Sequence, residues 1–510
     1  MCNWTSIDWA IIVAYVIFSG IVGLICRRYI HNMSDFVVAG RRLKTGLAVA
    51  TFSGTEMGLV TIMYMAQQGY ENGLASFTIG VIAGTVMAAI GVTGFIVHRL
   101  RQTGVMTIAE LYEVRYNRGV RTLGGFIIAM AGILNTGVFL KVGAQFLQIV
   151  TGMPEKARIL GIEMPVLNIV MTVLLIVVLF YTMMGGMISV VFTDYFQFIM
   201  IALGMGIALF FTLYQIPFCD IYSRSVETLG DKSLSPILQY GWMFILWQIM
   251  LIGSASILWQ TGTMRISAAK DAKTAQRVFL ITGLTNAARA IIPMLMGVAA
   301  ICFFATVGKS VEITDTLDAM PRMIGWIIPT GLLGILVAGM LAAFMSTHDS
   351  YLLAWSSVIT QDVVAPLKGG LSTKGRVILT RVLILAIGVF LLIWGLWYPI
   401  EGSVWEYLAM TGTIYLSGAF ALVTGALYWK KANTPGAIAA LICGAVPSIH
   451  HLFLKGYTEK LIKCEISKGL SGMASYVLAM AALIIVSLLT QKSHPPKPMD
   501  PTKHIEPDDE

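Results

Sequence analysis

Apolar residues come in long blocks along this chain, separated by short polar connections. Thirteen such runs are read, over 6–26, 44–67, 75–97, 122–150, 165–184, 187–214, 240–261, 277–305, 325–352, 377–398, 404–429, 434–454 and 471–490. A helix needs about 20 apolar residues to cross a bilayer, and the runs match that length rather than the shorter one of a strand. In lipid the backbone must satisfy its own hydrogen bonds. The pattern therefore predicts an all-α polytopic membrane protein of about 13 transmembrane helices, a single unit over 1–490. The stretch 101–120 reads as an amphipathic surface helix on the inner side. The Pro-rich, charged tail 491–510 reads as disordered. The first run has no basic region or cleavage site before it, so it reads as a retained helix.

Composition agrees. Hydrophobic residues make up 57% and charged residues 12%, about half the charged share of soluble domains. That excludes a disordered chain, a secreted disulfide scaffold and an ordinary soluble enzyme. The 50 glycines suit membrane helices that pack closely or break. With the N-terminus outside, inner segments carry 23 Lys and Arg and outer segments 10, while Lys141 and Arg289 fall within helices. Basic residues collect in cytoplasmic loops, so the N-terminus is expected outside and the C-terminus in the cytoplasm, in a plasma (inner) membrane. No basic run is interleaved with aromatics, so no nucleic-acid partner is expected. The six cysteines show no metal spacing and read as inert buried thiols; Cys219 and Cys464 both fall in outer loops, which leaves a pairing open. No P-loop, Ser/His/Asp set or HExxH is present, which disfavours ATP coupling and catalysis.

A charge at bilayer depth is costly, so the ionisable residues inside the runs are candidates for function: Glu56, Lys141, Asp194, Arg289 and Asp349. Glu56 lies in FSGTEMGLVTIMY, between Gly54 and Gly58. Glycines and hydroxyls around a mid-helix acid suggest a broken helix whose freed carbonyls bind a cation; the plainer reading is a kink with a paired acid. In GMLAAFMSTHDSYLLAWSS, the residues Ala343, Ser346, Thr347, Asp349 and Ser350 fall within one helical arc of about 160°. That face offers the hard oxygens of which a dehydrated Na⁺ takes about five or six; back-bonding of the hydroxyls to i−4 carbonyls is the alternative. Asp194, beside Thr193 and Gln197, reads as a solvated inner-mouth acid or an ion-exit carboxylate. Arg289 reads as a ligand for a substrate carboxylate or as partner of a bundle acid, and so does Lys141. Trp242, Trp247, Trp355, Trp394 and Trp397 read as packing or interfacial belt residues. Trp259, beside Gln260, is a pocket candidate. His450–His451 reads as interfacial.

Four stretches resemble the sodium:solute symporter family: SDFVVAGRRLKTGLAVATFSGTEMG, GGMISVVFTDYFQFIMIALG, MRISAAKDAKTAQR and LAAFMSTHDSYLLAWSSVITQDV. They are similar to the lead into its first core helix, its GG-x-x-x-V-x-x-TD-x-x-Q signature, its inner QR-x-x-AAK loop and its sodium-site helix. The resemblance implies a LeuT-type core of two inverted five-helix repeats, about 44–214 and 240–429, with one helix before and two after. It implies Na⁺ as coupling ion, held by the carbonyls of Gly54, Met57 and Ala343 and the hydroxyls of Ser346 and Thr347. Asp194 matches an aspartate on the family's inward sodium path. Asp349 and Ser350 match positions that some members use for a second sodium ion. Glu56 stands where the proline branch has an aspartate, His348 where small residues are usual, and Arg289 where sugar carriers place a lysine.

The function expected is sodium-coupled symport of a small organic solute by alternating access, an amino acid or other carboxylate-bearing solute first, with sugars and vitamins behind. Glu56, Trp259, Gln260 and Arg289 are the expected substrate pocket. Beyond Na⁺, no cofactor is expected, and besides the solute and the lipid bilayer no partner; a monomer suffices. The rivals are a proton-coupled carrier using Glu56 and Asp349, and a membrane sensor or channel of transporter-like fold. Lys141 and His348 receive no role.

Overall fold

The computed structural model describes residues 3–26, 41–159, 162–307, 313–398 and 403–498. The bundle is built from α1 (Ser6–Cys26), α2 (Thr45–Glu56), α3 (Leu59–Asn72), α4 (Phe77–Thr93), α5 (Arg118–Thr136), α6 (Phe139–Val150), α7 (Val166–Gln215), α8 (Trp242–Leu258), α9 (Gln260–Ala268), α10 (Ala272–Val307), α11 (Leu332–Val358), α12 (Thr373–Trp397), α13 (Val404–Tyr428), α14 (Thr434–Phe453) and α15 (Lys468–Leu489).

Among the described residues, nine helices are long and apolar enough to cross a membrane, or up to ten if the bent pair α8–α9 is one span. The expected count of thirteen is not reached because several runs adjoin without a polar loop. A single 3-10 turn, Gly73–Ser76, joins α3 to α4, and the runs 165–184 and 187–214 both fall in α7. The two ends of α7 have different neighbours. Met171 and Leu179 lie against Gly395 and Gly388 of α12, whereas Met200 and Gly204 lie against Gly339 and Leu336 of α11. The run expected at 325–352 is displaced: a separate helix, Ala319–Ile327, precedes α11, which then continues into a π-helical turn at Ile359–Val364. Pro329 cannot donate, and Gly331 sits at φ +82°, so the chain breaks between them.

Glycine sets the closest approaches. A methyl at Gly69 of α3 would strike the Met294 carbonyl, and one at Gly297 the Ala66 carbonyl, so α3 and α10 touch backbone to backbone.

The start of α11 is anchored from α1. Asp8 is fully buried, and its Oδ1 accepts the N–H groups of Gly331 and Gly334, both at 2.8 Å. Its Oδ2 accepts the Thr5 N–H at 2.8 Å. A buried donor left unpaired costs about 1–3 kcal/mol. Asp8→Ala is therefore expected to lose about 2 kcal/mol or more of stability, read as a lowered thermal melt of the purified protein. An unchanged melt would remove Asp8 as the anchor.

Three expectations are corrected here. Within 101–120 the helix is short, Ile108–Arg115, and it is wedged in the bundle rather than lying on the surface: Ile108, Leu111, Tyr112 and Val114 are buried, and the Tyr112 and Tyr415 hydroxyls bond at 3.0 Å. Its polar residues are spent on neighbouring groups: Thr107 accepts the Glu110 N–H, Glu110 accepts the Met106 N–H, Glu113 pairs with Arg121, and Arg115 donates to the Trp429 and Lys430 carbonyls. Cys219 and Cys464 are both free and exposed. Of the tail, residues 491–498 lie on the bundle, with Asn433 donating to the Ser487 and His494 carbonyls; 499–510 lie outside the described residues. The tryptophans divide: Trp247 and Trp355 are wholly buried, while Trp242 and Trp397 are 64% and 83% exposed at the helix ends.

Candidate ion and substrate site

The second span is broken. α2 ends at Glu56, Met57 (φ −90°, ψ 55°) and Gly58 (φ −71°, ψ 153°) leave the helical region, and α3 restarts at Leu59. A side chain at Gly58 would run into the Thr347 hydroxyl, so α11 passes directly against the break. The Ser346 hydroxyl donates to the carbonyls of Gly54 (3.0 Å) and Ala343 (3.2 Å). The Thr347 hydroxyl donates to those of Thr55 (3.2 Å) and Ala343 (3.0 Å). Gly54, Ala343, Ser346 and Thr347 thus come together, the bonds to Ala343 being back-bonds within α11, with Met57 in the break itself and the Thr55 carbonyl as an addition. All these groups are hard oxygens, and each hydroxyl can turn its lone pairs toward a cation set among them.

A second break was not legible. Trp259 is extended (φ −68°, ψ 132°) between α8 and α9, which bend by 50°. No Gly or Pro stands at 258–260 to signal it. The break turns α9 into the protein and buries Arg265, which sequence reading counted among the inner-loop cations. Arg265 is 3% exposed. Its Nη2 donates to Asp194 Oδ2 (3.0 Å), to Ser350 Oγ (2.8 Å) and to the Thr55 hydroxyl. Its Nη1 donates to the Thr261 carbonyl (3.0 Å) and its Nε to that of Thr51 (3.3 Å). Asp194, wholly buried, also accepts the hydroxyls of Thr51 (2.6 Å) and Thr55 (3.2 Å). Asp194 is therefore not a solvated mouth acid in this conformation but half of a buried ion pair. Asp349 is buried beside this cluster and accepts the Ser350 hydroxyl at 3.2 Å. The one signal that would have found Arg265 is Asp194 itself, because a buried carboxylate demands a cation.

The chain just before the first broken helix is tied to the chain at the end of the second. Leu43 donates to the Ala268 carbonyl and accepts the Lys270 N–H, both at 3.0 Å, and Arg101 Nε donates to the Ala269 carbonyl at 2.6 Å.

A cavity of about 140 Å³ opens beside the first break. Glu56 and Arg289 stand in its wall, with the aromatic faces of Tyr64, Phe139, Trp259, Tyr351 and Trp405, and it reaches Thr55 and Thr347 of the oxygen cluster. Arg289 Nη1 bonds both the Glu56 carbonyl and, at 3.2 Å, its carboxylate. Both side chains stay partly exposed to the cavity, at 17% and 23%. Trp259 meets Trp355 edge to face at 5.0 Å. Gln260 is the exception: it is fully buried, its Nε2 reaches the Met106 carbonyl at 3.4 Å, and it is not on the cavity wall, because the bend at Trp259 turns the next residue away. His348 bonds the Phe344 carbonyl (2.8 Å) and Lys141 that of Tyr398 (3.1 Å); neither lines the cavity.

Two interrupted helices meeting at an oxygen cluster, with a small cavity beside it, define a secondary membrane transporter. The family model for the sodium:solute symporter family matches residues 36–444, and the chain belongs to that family. Its relatives include the sodium/proline symporter 2 of Staphylococcus saprophyticus, 24% identical over 443 residues (81% of this chain, 80% of that one). The sodium/pantothenate symporter of Haemophilus influenzae is 24% identical over 429 residues (81% and 84%). Among solved structures, a substrate-bound, outward-open Na⁺-coupled sialic acid symporter superposes with a TM-score of 0.78 at 17% identity, over 95% of this chain and 98% of that one. A nucleobase-cation-symport-1 family transporter in a closed conformation gives 0.54 at 14% identity, over 91% and 97%. The fold is the LeuT-type bundle.

Proposed function

We propose that this protein couples the inward flow of Na⁺ to the uptake of a small carboxylate-bearing solute, an amino acid first, by alternating access. The observation that carries the reading is the convergence of the Gly54 and Ala343 carbonyls with the Ser346 and Thr347 hydroxyls at a helix break that also walls the cavity. Na⁺ held there, with the Met57 carbonyl as a further ligand, ties α2 to α11. The same act shapes the cavity, so ion and solute stabilise one conformation. Each then raises the other's affinity by the same factor.

The Glu56–Arg289 pair supplies the solute chemistry. A zwitterion can exchange with it, its carboxylate taking Arg289 and its ammonium taking Glu56, so no charge is left unpaired in a low-dielectric cavity. Inward release requires Arg265 to leave Asp194 and Ser350, which opens a carboxylate-lined path past Asp194 and Asp349. The breaks in α2–α3 and α8–α9 open the two halves 44–214 and 240–429, in keeping with inverted repeats. The basic bias places the C-terminus in the cytoplasm of a plasma-membrane protein, and one chain holds the whole core.

The test is uptake into proteoliposomes of a pooled, labelled metabolite mixture, with an inward Na⁺ gradient or with K⁺ in its place. Sodium-dependent accumulation of one carboxylate-bearing compound is expected. Uptake that follows a pH gradient without Na⁺ would overturn sodium coupling in favour of a proton carrier. A further expectation concerns Arg289. A hydrogen bond to a charged group is worth about 1.5–3 kcal/mol, so Arg289→Gln should raise the KM for the solute about tenfold to a hundredfold while sodium activation keeps its shape. An unchanged KM would take Arg289 out of the binding site.

A further inference from the structure

A second cavity, of about 670 Å³, lies at the end of the bundle that carries the C-terminal segment, and it shares no lining residue with the first cavity or the ion cluster. Arg99, Arg115, Lys430 and Lys497 line it, with Gln102 and Thr103. Four separate segments bring them together: the short helix Val97–Gln102, the end of Ile108–Arg115, the turn after α13 and the segment after α15. Three of the cations donate to backbone carbonyls. Arg99 donates to the Leu427 carbonyl at 2.5 Å and covers the Tyr428 ring at 4.3 Å. Arg115 Nη2 donates to the carbonyls of Trp429 (3.1 Å) and Lys430 (2.9 Å), and Lys497 donates to that of Glu113 (3.2 Å).

No carboxylate among the described residues forms an ion pair with any of the four. The nearest acid in sequence, Glu113, gives its carboxylate to Arg121 at 2.8 Å. Arg115 is 3% exposed, and its buried Nε has no hydrogen-bond partner. Four like charges brought together around one space repel one another, and a buried guanidinium donor without an acceptor is costly. An anion with several oxygens relieves both, and guanidinium forks suit a tetrahedral oxyanion. The aromatic residues Tyr428 and Trp429 in the wall are the types found at headgroup depth.

We propose that this cavity binds a phosphate group, carried either by an anionic phospholipid of the adjoining leaflet or by free phosphate. A bound phosphate joins Lys497 to Arg99, Arg115 and Lys430, and so fixes the C-terminal segment against the turn after α13.

The experiment measures binding to the full-length, detergent-purified protein by native mass spectrometry. The probes are dioctanoyl phosphatidic acid, inorganic phosphate and, as the phosphate-free control, dioctanoylglycerol. Phosphatidic acid should bind and dioctanoylglycerol should not. Lys430→Gln with Lys497→Gln, both exposed positions, should weaken binding about fivefold for each lysine, from the usual contribution of one basic residue at an anionic surface. Arg99→Gln provides an independent loss of similar size. Competition by inorganic phosphate at equal concentration would assign the site to free phosphate, and its failure to compete would assign it to lipid. Equal binding of dioctanoylglycerol and phosphatidic acid, or unchanged phosphatidic acid binding in both variants, would overturn the proposal. Sodium-dependent uptake has no part in the readout, so this result stands apart from the transport reading.

Discussion

Removing both hydroxyls at the break, Ser346→Ala with Thr347→Ala, is expected to raise the sodium concentration for half-maximal uptake about a hundredfold or more, with the ranking of solutes unchanged. Each hydroxyl reaches one carbonyl across the α2–α11 contact, Gly54 at 3.0 Å or Thr55 at 3.2 Å, and the Ala343 carbonyl of its own helix at 3.0–3.2 Å. Each offers a cation a ligand worth about 1.5–3 kcal/mol, so losing two costs about 3 kcal/mol at least, and every 1.4 kcal/mol is a factor of ten. The carbonyl ligands stay, because the break rests on Met57 and Gly58 rather than on the hydroxyls. Thr347→Ser keeps the oxygen and should behave nearly as the parent, which separates a ligand from a packing methyl. Solute affinity measured without Na⁺ should stay at the parent value. Unchanged sodium activation in the double variant would remove this cluster as the coupling site.

Neutralising one partner of the buried pair should do more damage than neutralising both. Arg265→Gln leaves Asp194 wholly buried with only threonine hydroxyls to answer its charge. Breaking a buried pair by removing one member typically costs about 3–5 kcal/mol. The thermal melt of Arg265→Gln should fall accordingly, and uptake should drop to about a hundredth of the parent's or less. Adding Asp194→Asn removes the orphaned charge, so the double variant should regain most of the lost stability. It should not regain normal uptake if Asp194 serves inward release as proposed, since that carboxylate is gone as well. Arg265→Gln melting like the parent, or a double variant no more stable than Arg265→Gln, would show that the pair does not hold this end closed.

The two experiments divide the site along the line that separates what sequence made legible from what it did not. Ser346, Thr347 and Asp349 could be placed on one helix face because the period of a helix is fixed by its geometry. The break at Glu56–Gly58 announced itself through flanking glycines around an acid that has no business in lipid. Arg289 drew attention for the same reason, and its partner turned out to be that acid.

Arg265 followed the opposite course. Its stretch looked like the basic loop it borders, and only the bend at Trp259, which no glycine or proline marks, carries it inward to Asp194. The same bend removed Gln260 from the cavity that Trp259 joins. The short helix at Ile108–Arg115 reads as a surface element in sequence, because its polar residues are conspicuous there while their partners, some of them hundreds of positions away, are not.

Sequence alone establishes that this chain lives in lipid, that its membrane bundle is helical, and which hard oxygens and acids at bilayer depth are candidates for its chemistry. Those follow from local facts: run length, helical period and the cost of a charge away from water. Only the tertiary structure decided which charge answers which, where the second helix breaks, and which side chains share a wall with the cavity. Such pairings join residues tens to hundreds of positions apart, and no local pattern encodes them; they are settled when packing brings each buried charge to the one partner that neutralises it.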